Sequence, residues 1–143
     1  MRQAPFSWVL AGLVLVTPLS ACAPPPAQTA CRDGFGSPAL FVTLYFGRSV
    51  PGGGEVSDIE FAAFTEQVLT TNLPNGHTAH DATGAWRNPQ TQLTIRERTK
   101  VLTVALSDTP ESAAAIQRIR TAYQRQFKQL LVGMTVHPAC AAF

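Results

Sequence analysis

Apolar and polar positions alternate most clearly from Leu40 to Gly47 (LFVTLYFG), with Leu40, Val42, Leu44 and Phe46 on one side and Phe41, Thr43 and Tyr45 on the other. A period of two with apolar residues on both sides predicts a strand covered on both faces, central in its sheet. The period then lengthens. Ser57 and Glu60 form a Ser-x-x-Glu capping box that opens a helix from about Asp58 to Thr71, with Phe61, Phe64 and Val68 along one side, and Leu73-Pro74-Asn75-Gly76 ends it. His77 to Arg87 has the length of a strand but weak alternation, as expected at a sheet edge. Asn88 to Thr91 turns the chain, and the next strand runs from Gln92 to about Ser107, long enough to predict a bulge near Arg98 and Thr99. Asp108-Thr109-Pro110-Glu111 starts a second helix, in which Ile116, Ile119, Tyr123 and Phe127 recur at spacings of three and four while Arg118, Arg125 and Lys128 face solvent. Leu130 to His137 is the last strand, and Pro138 is expected to stop it.

Strand, helix, strand, strand, helix, strand is the order of the ferredoxin-like α+β fold, a βαββαβ arrangement whose four-stranded antiparallel sheet runs 4-1-3-2 with two helices on one face. Leu40, Val42, Leu44, Leu102, Val104, Leu106, Val132, Met134 and Val136 are then expected to face the helices. The other face carries Phe41, Thr43, Tyr45, Val101, Thr103, Ala105, Thr135 and His137, too apolar for bare solvent. Such a face is covered by pairing two protomers or by building a ligand cleft; a homodimer is the expected partner, and the competing reading has the N-terminal segment burying the face.

Upstream of these elements, Arg2 precedes an apolar run from Phe6 to Val16 that is too short to span a bilayer and has the proportions of a secretory signal. Leu19-Ser20-Ala21-Cys22 resembles the lipobox of bacterial lipoproteins, which implies an acylated Cys22 as the mature N-terminus and anchorage in a membrane. Ala23 follows where an aspartate would resemble an inner-membrane retention signal, so the outer membrane is expected, with the domain facing the periplasm. The chain divides into a signal peptide, 1–21; the lipidated cysteine with a proline-rich tether, 22–38; and one α+β domain, 39–143. Once Cys22 is assigned to lipid, Cys31 and Cys140 remain as a pair in an oxidising compartment, and the 4-1-3-2 topology brings them to the same end of neighbouring strands.

Composition narrows the function. Of 143 residues, removal of the first 21 leaves 122, enough for one modest core. Loss of Arg2 leaves ten basic residues against nine acidic ones, which excludes the electrostatic footprint of a nucleic-acid binder.

Candidate chemistry concentrates where the first strand leaves the sheet and the hairpin turns. Arg48, Trp86, Arg87 and Arg96 are expected to gather there beside the Gly52–Gly54 loop, and guanidinium groups beside an indole suit a carboxylate, a phosphate or a stacked glycan. The competing reading has Trp86 capping the core and Arg87 paired with Glu97 or Glu55. Tyr45 and His137 are further candidates on the open face. His77, His80 and Asp81 have metal-like spacing, but strand residues three apart point to opposite faces and His137 lies on the far edge, so no metal site is expected. The glycine loop lacks the GK[ST] of a phosphate loop, no cofactor is implied, and no nucleophile or acid pair has catalytic spacing. A lipid-anchored, non-catalytic binding domain is the expectation. The alternative is a small dimeric enzyme or cofactor binder, marked by an enclosed cavity lined by Tyr45, Thr103 and His137.

Leu44-Tyr45-Phe46-Gly47, Val56-Ser57 with Glu60-Phe61 and Phe64, Leu73-Pro74-Asn75-Gly76, Gly84-Ala85-Trp86-Arg87 and Arg96 to Leu102 together resemble the DUF3574 family of bacterial envelope proteins over most of Leu40 to Phe143. The family pattern carries Trp in place of Phe61 and Gln in place of Ala85. The resemblance implies a grouping and no activity.

Overall fold

The computed structural model describes residues 31–142. The expected signal segment, Cys22 and the tether up to Ala30 lie outside the described residues. Among the described residues there are four strands, β1 (Ser37–Gly47), β2 (Thr78–Arg87), β3 (Thr94–Leu106) and β4 (Gly133–Ala141). They form one sheet in the order β2-β3-β1-β4 with every neighbouring pair antiparallel, which is 4-1-3-2 read from the other edge. Two helical segments complete the expected α+β fold. The first, α1, covers residues 58–72, and α2 is Pro110–Phe127.

Local chemistry explains both helices. Ser57 accepts from the Glu60 amide while the Glu60 carboxylate accepts from the Ser57 amide, the reciprocal capping read from the sequence. Within α1 the backbone is α-helical over Asp58–Phe64, π-helical over Thr65–Leu69 and α-helical again to Asn72. The wider turn matches the apolar spacing: Phe61, Phe64 and Leu69 are buried, and the five-residue step from 64 to 69 keeps one face inward. Thr109 caps α2 through a bond from the Ser112 amide, with Pro110 in the first turn, and Lys128 ends it in the left-handed conformation.

The core lies between the helices and the two central strands. Val42, Leu44 and Phe46 of β1, Leu102 and Val104 of β3, and Ile116, Ile119, Tyr123 and Phe127 of α2 are buried together with Phe61 and Phe64. Phe46, Phe61, Phe64, Tyr123 and Phe127 form a contiguous aromatic cluster, with edge-on and tilted pairs at centroid distances from 4.7 to 6.4 Å. Met134 and Val136 depart from expectation at 43% and 42% exposed, because the helices sit over β1 and β3 and leave the β4 edge uncovered. A cavity of about 280 Å³ opens there between α2 and β4.

Three strand features correct the sequence reading. Pairing along β3 is continuous, from Arg87↔Thr94 through Thr78↔Thr103 on one side and Gly47↔Thr99 through Leu40↔Leu106 on the other, so no bulge interrupts it. Its length is used differently: residues 94–97 pair only with β2, and the hairpin overhangs the rest of the sheet. β4 starts at Gly133 instead of Leu130, because the carbonyls of Leu130 and Val132 are taken by Gln124 and Arg120 of α2. Pairing runs through Pro138 to Ala141, since an edge strand has a neighbour on one side only and tolerates a missing outward N–H.

Cys31 and Cys140 are disulfide-bonded with Cα atoms 5.7 Å apart, 109 residues apart in sequence. No helix among the described residues is long and apolar enough to cross a membrane. Closing so long a loop restricts the unfolded chain by roughly 4 to 5 kcal/mol as an upper figure. The double variant C31S/C140S is therefore expected to lose up to that amount in denaturant unfolding while keeping its far-ultraviolet circular dichroism. An unchanged midpoint would show that the bond contributes nothing to stability.

Candidate functional site

Strand alternation decides which candidate residues meet. On β1 the even positions face the helices and continue to Arg48, while the odd positions, Tyr45 and Gly47, face the open side. On β3 the parity is the same, because Leu102 and Val104 are core; Arg96, Arg98 and Lys100 are on the helix side and Glu97 and Thr99 on the open side. On β2 it is reversed by register: Ala85 opposite Arg96 puts Arg87 on the helix side, and Trp86 opposite Ile95 puts the indole on the open side. The expected gathering is thus divided between two faces, with Arg48, Arg87 and Arg96 on the helix side and Trp86 on the open side, where Tyr45 and His137 also lie.

On the helix side, Arg48 is 1% exposed. Its Nε donates to the Val56 carbonyl at 2.6 Å and its Nη1 to Asp58 Oδ1 at 3.0 Å, with Glu55 at 3.6 Å and Asp81 at 3.7 Å. Arg98 reaches Glu55 at 3.1 Å, and the Lys100 ammonium bridges Asp81 at 2.8 Å and Asp58 at 3.0 Å. Three cations and three carboxylates from the 48–57 loop, α1, β2 and β3 are thereby joined, and a guanidinium taken out of water has its charge answered. Hydrogen bonding from Lys100 is the largest influence on the Asp58 carboxyl and, with the nearby charges of Arg48, Lys100 and Arg98, holds it below its ordinary 3.8 against the opposing effect of desolvation. Asp81 first, then Asp58, hold the Lys100 ammonium above its ordinary 10.5. Arg87 and Arg96 stay outside this network; both are exposed, and Arg87 donates to the Gln92 carbonyl within the hairpin turn.

On the open side lies a cleft of about 260 Å³. Tyr45, Trp86, Leu130 and Leu131 form its walls, and Gly47, Gly84 and Gly133 bring three strands to it without side chains. Two of these glycines are required by contact. A Cβ on Gly47 would run into the Glu97 carboxylate, and one on Gly84 would lie 2.7 Å from the Thr99 hydroxyl. Their absence lets both polar side chains lie flat across the neighbouring strand. The Glu97 carboxylate is anchored at each oxygen: Oε1 accepts from Trp86 Nε1 at 2.7 Å, and Oε2 from the Ser49 amide at 2.8 Å. The apolar rim is also held. Gln129 donates to the Ser49 carbonyl, Gln124 to Leu130 and Arg120 to Val132, so the residues after α2 are fixed from two directions. A second hollow of about 360 Å³ shares Trp86, Glu97, Gln129 and Leu130 and adds Ser49 and Lys128, so the two flank the indole.

Tyr45 and Trp86 are therefore brought together, while His137 is not. His137 pairs with Phe41, four residues along β1 from Tyr45 and roughly 13 Å away, and neither it nor Thr103 lines the cleft. His77 is half-buried before β2 begins, and burial holds its imidazole below the ordinary 6.5; His80 lies within β2, opposite Val101. No group of three histidine, cysteine, aspartate or glutamate side chains suited to a metal occurs among the described residues. Sequence reasoning missed Glu97 as a cleft residue and assigned Leu130 and Leu131 to a strand. The available signal was glycine inside strand patterns at positions 47 and 84, which marks a close approach of other atoms.

A family model described as a protein of unknown function, DUF3574, matches residues 42–143. No curated protein matches the chain. Among solved structures, a phage SAM lyase in complex with S-methyl-5'-thioadenosine is similar with a TM-score of 0.52 at 13% identity, covering 72% of this chain and 90% of that one. The apo state of a phage SAM lyase aligns with a TM-score of 0.49 at 15% identity, over 80% and 97% of the respective chains. At these identities the first likeness speaks for the fold alone.

The charge network sets a pH dependence. Asp58, with its folded pKa lowered, contributes stability that is present above its unfolded value of 3.8 and is lost as the pH falls through the folded one. Lys100, with its folded pKa raised, contributes stability that is present below 10.5 and is lost as the pH rises through the folded one. Thermal midpoints followed across pH are expected to fall at both extremes, and Asp58→Asn to make the acid limb shallower. An identical acid limb in that variant would remove Asp58 from the account.

Proposed function

The chain belongs to the DUF3574 family, and from this membership and its own geometry we propose that it is a lipid-anchored, non-catalytic binding domain of the bacterial envelope. It is held to the membrane at Cys22, faces the periplasm from the outer membrane, and takes its ligand in the Trp86 cleft. The observation that carries this reading is the cleft itself, apolar walls around a carboxylate already fixed by two donors. Such a carboxylate is built to hold its place, which suits recognition better than proton transfer. The Cys31–Cys140 bond supports an oxidising compartment, and the Leu19 to Cys22 pattern supports acylation. Arg48, offered by the sequence as a ligand group, acts here as a structural tie, and Arg87 and Arg96 form an exposed basic edge outside the cleft.

A second reading rests on Phe41 and Tyr45, each 40% exposed on the sheet face away from the helices. Two protomers pairing through that face would cover both rings and close the cleft, as in a small dimeric enzyme or cofactor binder. The fold shared with the phage SAM lyase is compatible with that reading and identifies no substrate.

Two measurements test these statements. Cells expressing the full chain with labelled palmitate are expected to yield a labelled protein, and Cys22→Ala to abolish the label; an unlabelled wild-type protein refutes the anchor. Sedimentation equilibrium of the mature chain in density-matched detergent is expected to give a monomer if the cleft acts within one protomer. A dimer persisting on dilution would favour the second reading.

A further inference from the structure

The sequence pointed to an anion site, because three arginines were expected around Trp86. With those guanidinium groups on the other face, the charge of the cleft is reversed. Among its eleven described lining residues Glu97 is the one charged side chain. The ion pairs among the described residues use Arg48, Arg98 and Lys100 against Glu55, Asp58 and Asp81, and none involves Glu97. Lys128 lines the second hollow and is absent from the lining of the first.

We infer that the Tyr45–Trp86–Glu97 cleft receives a small protonated amine carried on an apolar or aromatic body. This rests on the reading of the cleft as a binding site and names the chemistry it takes. A carboxylate has about four lone-pair positions, and the Trp86 and Ser49 N–H groups occupy one on each oxygen. What remains accepts hydrogen bonds and donates none, so the complementary group is a donor, best a charged one. The indole of Trp86 and the phenol ring of Tyr45 flank the same space, and aromatic faces attract an ammonium where they repel a carboxylate. Leu130 and Leu131 offer contact to the apolar body. The volume of about 260 Å³ falls just short of the roughly 300 Å³ at which ligand pockets start, so the ligand is small. The bond from Trp86 to Glu97 also makes the site report on itself. Trp8 lies in the segment removed with the signal, so the mature chain holds a single indole N–H, and that N–H touches the carboxylate.

The test follows that indole resonance in the mature chain in lipid nanodiscs, with empty nanodiscs as the control for partitioning. The probes are 2-phenylethylamine, its neutral counterpart 2-phenylethanol, and the anion phenylacetate. The amine is expected to shift the resonance saturably and to bind at least tenfold more tightly than the alcohol. Phenylacetate is expected to leave the signal unmoved, and raising the salt is expected to weaken the amine alone. Glu97→Gln is expected to abolish the preference, and the salt dependence of the wild-type protein supplies the same information if that variant fails to fold. Equal binding of amine and alcohol would overturn the inference while leaving the cleft a binding site. Tighter binding of phenylacetate would overturn it in favour of an anion site. No shift with any probe would overturn the inference and the cleft as a binding site together, leaving the anchor to the palmitate experiment.

Discussion

Burial of the Arg48 guanidinium is the constraint around which this molecule is arranged. A charge so thoroughly removed from water requires partners from every direction, and here they come from the Val56 carbonyl, Glu55, Asp58 and Asp81. Those partners belong to the loop after β1, the first turn of α1 and the edge strand β2. Arg48 thus ties the exit of the central strand to the start of the first helix and to the far edge of the sheet. Lys100 and Arg98 extend the tie along β3.

The same constraint builds the opposite face. If Arg48 joins Phe46 on the helix side, Gly47 must turn to the open side, where its lack of a side chain admits the Glu97 carboxylate. Core and cleft also meet at this residue. Tyr123, at the centre of the aromatic cluster, donates its hydroxyl to the Gly47 carbonyl at 2.9 Å, and burial pushes that phenol well above its ordinary range. The cleft is therefore joined at Gly47 directly to the aromatic cluster of the core. In a cleft so supported Trp86 and Glu97 are already ordered.

Much of the architecture was legible because it depends on short-range rules. The capping box at Ser57 and Glu60, the Thr109–Pro110 start of α2 and the 3.6-residue spacing of Ile116, Ile119, Tyr123 and Phe127 are local statements, and all hold. The topology then brought Cys31 and Cys140 together before any distance was known. Local rules failed where a neighbour altered their consequence. Pro138 is a strand breaker only where both edges are paired, and Leu130 and Leu131 look like strand residues until side chains of α2 take the carbonyls around them.

For the candidate site, the chain alone placed Trp86 and several arginines near one end of the sheet and Tyr45 on its open face, because strand order, hairpin direction and alternation follow from the pattern of elements. It also supplied the apolar character of the open face. Only the tertiary structure decided which of those residues meet. That outcome turns on register, and a shift of one residue exchanges the two faces of a strand. Register placed the indole with Glu97 and the guanidinium groups behind the sheet, so the sign of the charge in the cleft was decided by pairing, a property no single segment of the sequence contains.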